Sequence, residues 1–290
     1  MIDWIAAIQQ RHSVRRYADR PLPAEIVAAL HQAIAEVEPL DAGVPVTLSL
    51  LPFAQIGHRS AVGAIAILNP APWYMIAHCP ATPGRMEEVG FRMEQVVLAA
   101  TSLGLGTCWI GGYFRAGALA EHLGCPPENI IVISPLGWPQ GGRLQAFAYT
   151  VSESLAFKRG KRKPLEEFCF WQNWGQPLQQ AQVPETTWKA LAMARLAPSW
   201  SNVQPWYFLV REGQIYALAD SRPQRTNARP NKPYYRLDTG IAMSHFWLAM
   251  RQHGQAGRWQ LLRGQERAVA ASLGLPKYAL PLGSYDQEQS

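Results

Sequence analysis

The strongest constraint on how this chain can fold is an internal repeat. Residues 88–109, EVGFRMEQVVLAATSLGLGTCW, align with residues 238–259, DTGIAMSHFWLAMRQHGQAGRW, without a gap and at a constant offset of 150 positions. Glu88 falls on Asp238, Gly90 on Gly240, Met93 on Met243, Leu98 on Leu248, Ala99 on Ala249, Gly104 on Gly254 and Trp109 on Trp259. Both copies carry apolar residues at helical spacing and run into a glycine, the pattern of a long buried helix closed by a glycine cap. The flanks agree too. LPAEIVAALHQAIAEV and VPETTWKALAMARLAP are Pro-started amphipathic segments, and they precede the strand-like stretches VTLSLLPF and WYFLVRE. Two similar halves folded together would imitate a homodimer. The boundary is expected near 170–183, where WQNWGQPLQQAQVP has linker composition, giving an N-terminal half 1–170 and a C-terminal half 171–290.

Composition narrows the class. At 290 residues and 48% hydrophobic, the chain can bury a sizeable core. No apolar run approaches the ~18 residues that a membrane helix requires. The start, MIDWIAAIQQRHSVRRY, places an acid before a short apolar patch and bases after it, the reverse of a secretory signal; a cytoplasmic location without membrane association is expected. Cys79, Cys108, Cys125 and Cys169 are widely spaced, with no CxxC and no clustered histidines, so neither a metal centre nor a disulfide framework is expected and the cysteines read as buried thiols. The formal charge of +6 is concentrated in RHSVRR (11–16) and KRGKRK (158–163). No nucleic-acid-binding signature accompanies these clusters, which leaves a solvated basic face or a phosphate-bearing cofactor, the latter favoured.

The halves differ in their polar residues. RHSVRRY opens the first half, and the matching place in the second, around LQQAQVPETTW, has no Arg-x-Ser-x-Arg. Conversely, PSWSNVQPW of the second half answers to EPLDAGVPV of the first, which lacks its Ser, Asn and Gln. One complementary set is present, so a single composite site between the halves is expected, with any second site degenerate.

RHSVRRY, GLGTCWIGGYF, ISPLGWP, KRKPLEE and APSWSNVQPWYFLV together resemble the signature segments of the FMN-dependent nitroreductase superfamily. Their doubling resembles the minority branch, typified by a Thermotoga protein, in which one chain mimics the usual dimer. The resemblance spans nearly the whole chain and implies an α+β, three-layer α/β/α fold, with two half-domains each contributing a small, mostly antiparallel sheet. It also implies site residues. Arg11 and Ser13 would bind the FMN phosphate with His12 alongside, and Arg15 would reach the N1/O2 edge of the ring. Ile110, Gly111 and Gly112 would pass over the flavin and present a backbone N–H to N5. Arg162 matches a late phosphate-clamping arginine. Lys158 or Lys161 would replace the lysine the family often has where this chain has Gly160.

The residue chemistry is compatible with that mapping. Arg11, Ser13 and Arg15, placed just before or inside the first turn of a helix, can offer guanidinium forks and a hydroxyl to a phosphate that also meets free backbone N–H groups; a basic helix start with solvated arginines is the plain alternative. Arg16 is expected to face solvent or an acidic partner. Ser199, Ser201 and Asn202 can bond ribityl hydroxyls and the pyrimidine edge, with Gln204 close by and Pro198 fixing the turn. Gln204 precedes Pro205 and is expected to be extended, and Trp206 reads as core. Trp200 either narrows the site or covers the ring. The Gly104-x-Gly106 pair is no Rossmann loop, because the third glycine would fall on Trp109 and the segment follows a helix. No nucleophile elbow or acid–base pair stands out, which suits chemistry carried by a cofactor. The expected activity is FMN-mediated reduction by NADH or NADPH of a nitroaromatic, quinone or similar small acceptor, by a monomer acting as a pseudo-dimer without nucleic acid. A non-catalytic FMN-binding or sensor protein, its acceptor pocket closed under Trp200 or Tyr113, is the alternative.

Overall fold

The computed structural model describes residues 2–56, 71–112, 114–140, 161–222 and 233–287. Lys158, Gly160 and Tyr113 lie outside them.

Two helices dominate the interior: α4 (Arg85–Ser102) and, counting α-helices in chain order, α7 (Tyr234–Gln252). They are the two copies of the repeat. From Met86 to Thr101 only Arg92 escapes burial, and Leu237–Met250 is buried without interruption. Helices apolar on nearly every side have no solvent face to present and must lie inside. They close as their glycines require: Gly104 at φ +80° and Gly254 at φ +72° take the left-handed conformation just beyond each helix.

Each helix packs on its own sheet. β1 (Thr47–Pro52), β2 (Trp73–His78), β3 (Gly106–Thr107) and β4 (Ile130–Gly137) form an antiparallel sheet in the order β1-β2-β4-β3, and α4 lies on it. On β2, Met75 and Ala77 face the main core, while Tyr74 and Ile76 point the other way, into a cluster with Leu119 and Ala120 of α5 (Ala116–Leu123). The second sheet holds β5 (Cys169–Trp171), β6 (Trp206–Arg211), β7 (Gln214–Asp220), β8 (Gly257–Leu261) and β9 (Ala279–Gln287) in the order β5-β6-β7-β9-β8. It is antiparallel except where β5 runs parallel to β6, and α7 packs on β6, β7 and β8. The Pro-started helices appear as α2 (Ala24–Ala35) and α6 (Glu185–Ala194). Short helices α1 (Trp4–Gln10), α3 (Phe53–Ile56) and α8 (Glu266–Ser272) complete a mixed α+β fold.

The helices α4 and α7 touch backbone to backbone. A Cβ built on Gly90 would stand 2.2 Å from the Leu237 carbonyl oxygen, and one on Gly240 would stand 2.2 Å from that of Glu87. The two contacts are the same contact seen from either helix, since Glu87 and Leu237 are themselves one repeat offset apart.

Two expectations need correction. The stretch expected as linker is structured: Trp171 ends β5, Leu178 is fully buried, and Leu178 N–H donates to the Cys169 carbonyl at 2.9 Å. RHSVRRY is not at the start of a helix. Arg11 caps the C-terminus of α1, and the chain then runs extended along β3, with Val14 N–H donating to Thr107 O at 2.8 Å and Tyr17 bridged to Pro139. Strand pairing fixes this course, because the Val14 side chain fills the space left by Gly106, where a Cβ would sit 2.7 Å from it.

Gly90→Ala and Gly240→Ala should each push the two helices apart and lose about 2–4 kcal/mol by urea denaturation. Gly117→Ala in α5, which meets nothing within 4 Å, should instead stabilise by up to ~1 kcal/mol.

Candidate functional site

Three arginines from separate segments gather beside the helix crossing. Arg11 comes from the end of α1, Arg195 caps α6, and Arg162 lies in the segment leading to β5. Arg162 donates to three acceptors: the Leu196 carbonyl at 3.0 Å, the Ala197 carbonyl at 2.7 Å and Asn202 Oδ1 at 3.1 Å. Burial first, and then the like charges of Arg11 and Arg195, hold its pKa well below the ordinary arginine range. Burial also lowers that of Arg11, against the pull of Glu94. The Arg11 side chain is 6% exposed and that of Glu94 0%, with Arg11 Nε 3.8 Å from Glu94 Oε1.

Several polar atoms here are buried without a hydrogen-bond partner among the described residues: Arg11 Nε, His12 Nε2 and Arg195 Nε. Native interiors rarely leave such atoms unpaired, and the two arginine Nε–H groups can only donate. A surplus of buried positive charge with unsatisfied N–H groups is what a polyvalent anion requires and what an apolar ligand could not stabilise. The donor set therefore fits a phosphate group.

The residues of PSWSNVQPW serve mainly to hold Arg162. Asn202 Oδ1 accepts from its guanidinium, and Asn202 Nδ2 donates to the Lys161 carbonyl at 3.1 Å. Gln204 is buried and fully engaged: Oε1 accepts from Lys163 N–H at 2.9 Å, and Nε2 donates to the carbonyls of Lys161 at 3.1 Å and Asn202 at 3.2 Å. Ser199 Oγ accepts from Gln204 N–H at 2.8 Å. Gln204 is not extended as expected before proline; at φ +53° it is left-handed, held there by these bonds, and Ser201 (φ +50°) and Asn202 (φ +56°) are left-handed as well. Ser201 is exposed, Pro198 is buried, and Trp206 is core at 1% exposure. Trp200 N–H donates to Asp238 Oδ2 at 3.1 Å, which ties this loop to α7.

The remaining expected residues flank the cluster. His12 Nδ1 lies 3.0 Å from the Gln10 carbonyl, Ser13 pairs with Thr107, Arg15 is half-buried and Arg16 exposed. Ile110 N–H bonds the Ile133 carbonyl at 2.9 Å. Gly111 and Gly112 follow, and Tyr234, at the start of α7, lies over Gly111 and donates its hydroxyl to the Gly111 carbonyl. Cys79, Cys108 and Cys169 are buried free thiols, while Cys125 is half-exposed.

Sequence reasoning missed Glu94, Trp109, Arg195, Asp238 and His245. Glu94 Oε2 accepts from Trp109 Nε1 at 2.8 Å, and Oε1 lies 2.8 Å from Nε2 of His245, so a fully buried pair joins α4 to α7. A signal existed: acids and a histidine inside helices that are otherwise apolar on all sides must be paired or functional. At the other end of α7 a depression is lined by Glu38, Trp247, Arg251 and residues 254–258, but there Arg251 is already held by Glu38 and by the face of Trp247.

The fold and cluster define an α+β protein built on two sheets and a crossed helix pair, with buried arginines gathered beside the crossing. The family described as "Putative TM nitroreductase" matches residues 3–250, and the chain belongs to that family. It is similar in structure over 99% of its length to a putative nitroreductase of Thermotoga maritima, at 21% identity, a TM-score of 0.61 and 93% of that chain. A "Putative NADH dehydrogenase/NAD(P)H nitroreductase" of Methanothermobacter thermautotrophicus is 29% identical over 158 residues, 48% of this chain and 78% of that protein. No helix among the described residues is long and apolar enough to cross a membrane.

Asp238 offers a pH test. Burial pushes its carboxyl from the ordinary 3.8 up to about 8, opposed only by the Trp200 N–H. Between those values the unfolded chain has released a proton that the native protein keeps, so stability falls as pH rises through the window and levels off above it. Urea denaturation should show the wild type losing roughly 2–4 kcal/mol between about pH 5 and 8 at ~1.4 kcal/mol per unit, with Asp238→Asn, which retains an acceptor for Trp200, losing less than half of that.

Proposed function

We propose that the protein is an FMN-dependent NAD(P)H oxidoreductase of the nitroreductase type, one chain formed by internal duplication and carrying one composite site. The observation that carries this reading is the buried cluster of Arg11, Arg162 and Arg195 with its unsatisfied donors. In this reading Arg11 and Arg195 hold the cofactor phosphate, with Arg162 set beside them and His12 alongside. Ser13 and Arg15 lie further along the same extended segment and would be the residues that meet the remainder of the cofactor. Asn202 and Gln204 act through Arg162, whose guanidinium and flanking backbone they fix. Pro198, Ser199 and Ser201 shape the loop that bears them. Both backbone groups of Ile110 are taken up by Ile133, so Gly111 and Gly112 would be the residues that present backbone at the ring.

When bound, FMN supplies reversible two-electron chemistry between NADH or NADPH and an oxidised acceptor such as a nitroaromatic or quinone. The protein's own contribution is charge and position: arginines at the phosphate and, from Arg15, a cation that favours the reduced, anionic ring. Family membership and the name of the archaeal relative support the assignment to nitroreductase chemistry. The halves are proposed to meet near 170, residues 1–170 supplying the arginine segment and 171–290 the strained loop, in a monomer acting as a pseudo-dimer in the cytoplasm.

A non-catalytic flavin-binding protein is the second reading, and Tyr234 favours it, because its ring lies against Gly111 where an acceptor would need access. Protein reconstituted with FMN should show a flavin band that anaerobic NADPH or NADH bleaches and a quinone restores; a band that resists both reductants assigns the second reading. Arg11→Ala should weaken FMN binding roughly 10- to 100-fold, the equivalent of one charge-assisted hydrogen bond. Unchanged affinity in that variant would refute the phosphate assignment.

A further inference from the structure

Glu94 is a buried carboxylate that faces Arg11 without bonding it. Both its oxygens are engaged elsewhere, Oε2 by Trp109 Nε1 at 2.8 Å and Oε1 by His245 Nε2 at 2.8 Å. His245 is fixed from behind as well, its Nδ1 3.2 Å from the Met193 carbonyl. A carbonyl can only accept, so Nδ1 carries a proton, and the contact with Glu94 contains a second. The pair is fully buried and spans two helices, so neither partner can swing away.

Arg11 Nε lies 3.8 Å from Glu94 Oε1, inside Coulomb range but too far for a hydrogen bond, and has no hydrogen-bond partner among the described residues. A carboxylate free to turn at that distance would close on the guanidinium in a bidentate pair. That closure would consume the donors an incoming phosphate needs. Arg162 and Arg195, the other cations near this position, raise the cost of leaving the cluster with no negative charge at all.

We propose that His245 and Trp109 are positioning residues that hold Glu94 off Arg11. Glu94 then keeps the buried guanidinium charged while its Nε edge stays open to the cofactor phosphate. The proposal rests on the reading of the site as an FMN site, and it concerns discrimination of the phosphate rather than of the ring.

The test compares FMN with riboflavin, which lacks the phosphate. Full-length protein freed of flavin is titrated with each, following flavin fluorescence, for the wild type, His245→Asn, Trp109→Phe and both changes in a Glu94→Gln background. Releasing either pin should let Glu94 close on Arg11 and weaken FMN binding by about tenfold or more, the loss of one charge-assisted contact, while riboflavin binding stays within about twofold. In the Glu94→Gln background, where no carboxylate remains to close, the same changes should leave FMN binding within about twofold of the Glu94→Gln protein. Equal losses for the two flavins, or a loss that persists without Glu94, would overturn the proposal by reducing the pins to core packing. Wild type that prefers FMN, with a preference unmoved in both pin variants, overturns the positioning role alone. Wild type that binds FMN no better than riboflavin overturns the phosphate site and this role together. Trp109→Phe keeps the test open if His245→Asn does not fold.

Discussion

The contact on which the rest of the structure depends is the approach of α4 to α7 at Gly90 and Gly240. Only hydrogen in place of Cβ allows the two backbones to meet at this distance. Because they meet, residues a turn further on reach each other: Glu94 from one helix and His245 from the other come within hydrogen-bond range without a long side chain on either. The same crossing brings the loop after α6 and the end of α1 to one place, each packed against a helix of the pair.

Burying so many acids in two helices needs local answers, and the two copies of the repeat answer differently at the same position. Glu88 and Asp238 both accept a backbone N–H from the loop entering the adjacent strand: Asp41 N–H at 2.6 Å for Glu88, Trp200 N–H at 3.1 Å for Asp238. Glu88 has Arg92 one turn along, and the ion pair offsets part of the cost of its burial. The corresponding position beside Asp238 is Ala242, so no cation stands there and burial is resolved by keeping the proton. The two positions thus share a loop anchor, and only Glu88 has an ion-pair partner one turn along.

Much of this fold is legible in the sequence, because its main signals are local or periodic. The gapless repeat locates both central helices, their terminal glycines, the Pro-started helices and the strands that follow. Trp206 reads as core from its place at a strand entry. Other features depend on partners that no local pattern specifies. The course of RHSVRRY is set by Gly106, 92 positions from Val14, and not by its own helix-start chemistry. Gln204 departs from the pre-proline rule because three hydrogen bonds to residues 161–163 and 202 outweigh a local preference. Glu94 and His245 are visible as polar residues in apolar helices, yet their pairing follows from the crossing, which the sequence expresses only as two glycines.

The strained loop explains why a single composite site is the economical reading. Ser201, Asn202 and Gln204 each occupy left-handed backbone at a cost of about 1–2 kcal/mol per residue. In the answering loop of the first half, 38–46, no described non-glycine residue is left-handed, although that loop also anchors to its helix, through Glu88 and Gln95. Anchoring alone therefore does not demand the strain. What the second loop has in addition is Arg162, whose guanidinium and flanking backbone meet the side chains of two of these residues, Asn202 and Gln204. The strain is present where the loop fixes Arg162 beside Arg11 and absent where the loop meets, through Glu38 and Asp41, only the more exposed Arg251 and Arg263, and this asymmetry separates the two loops more sharply than their composition does.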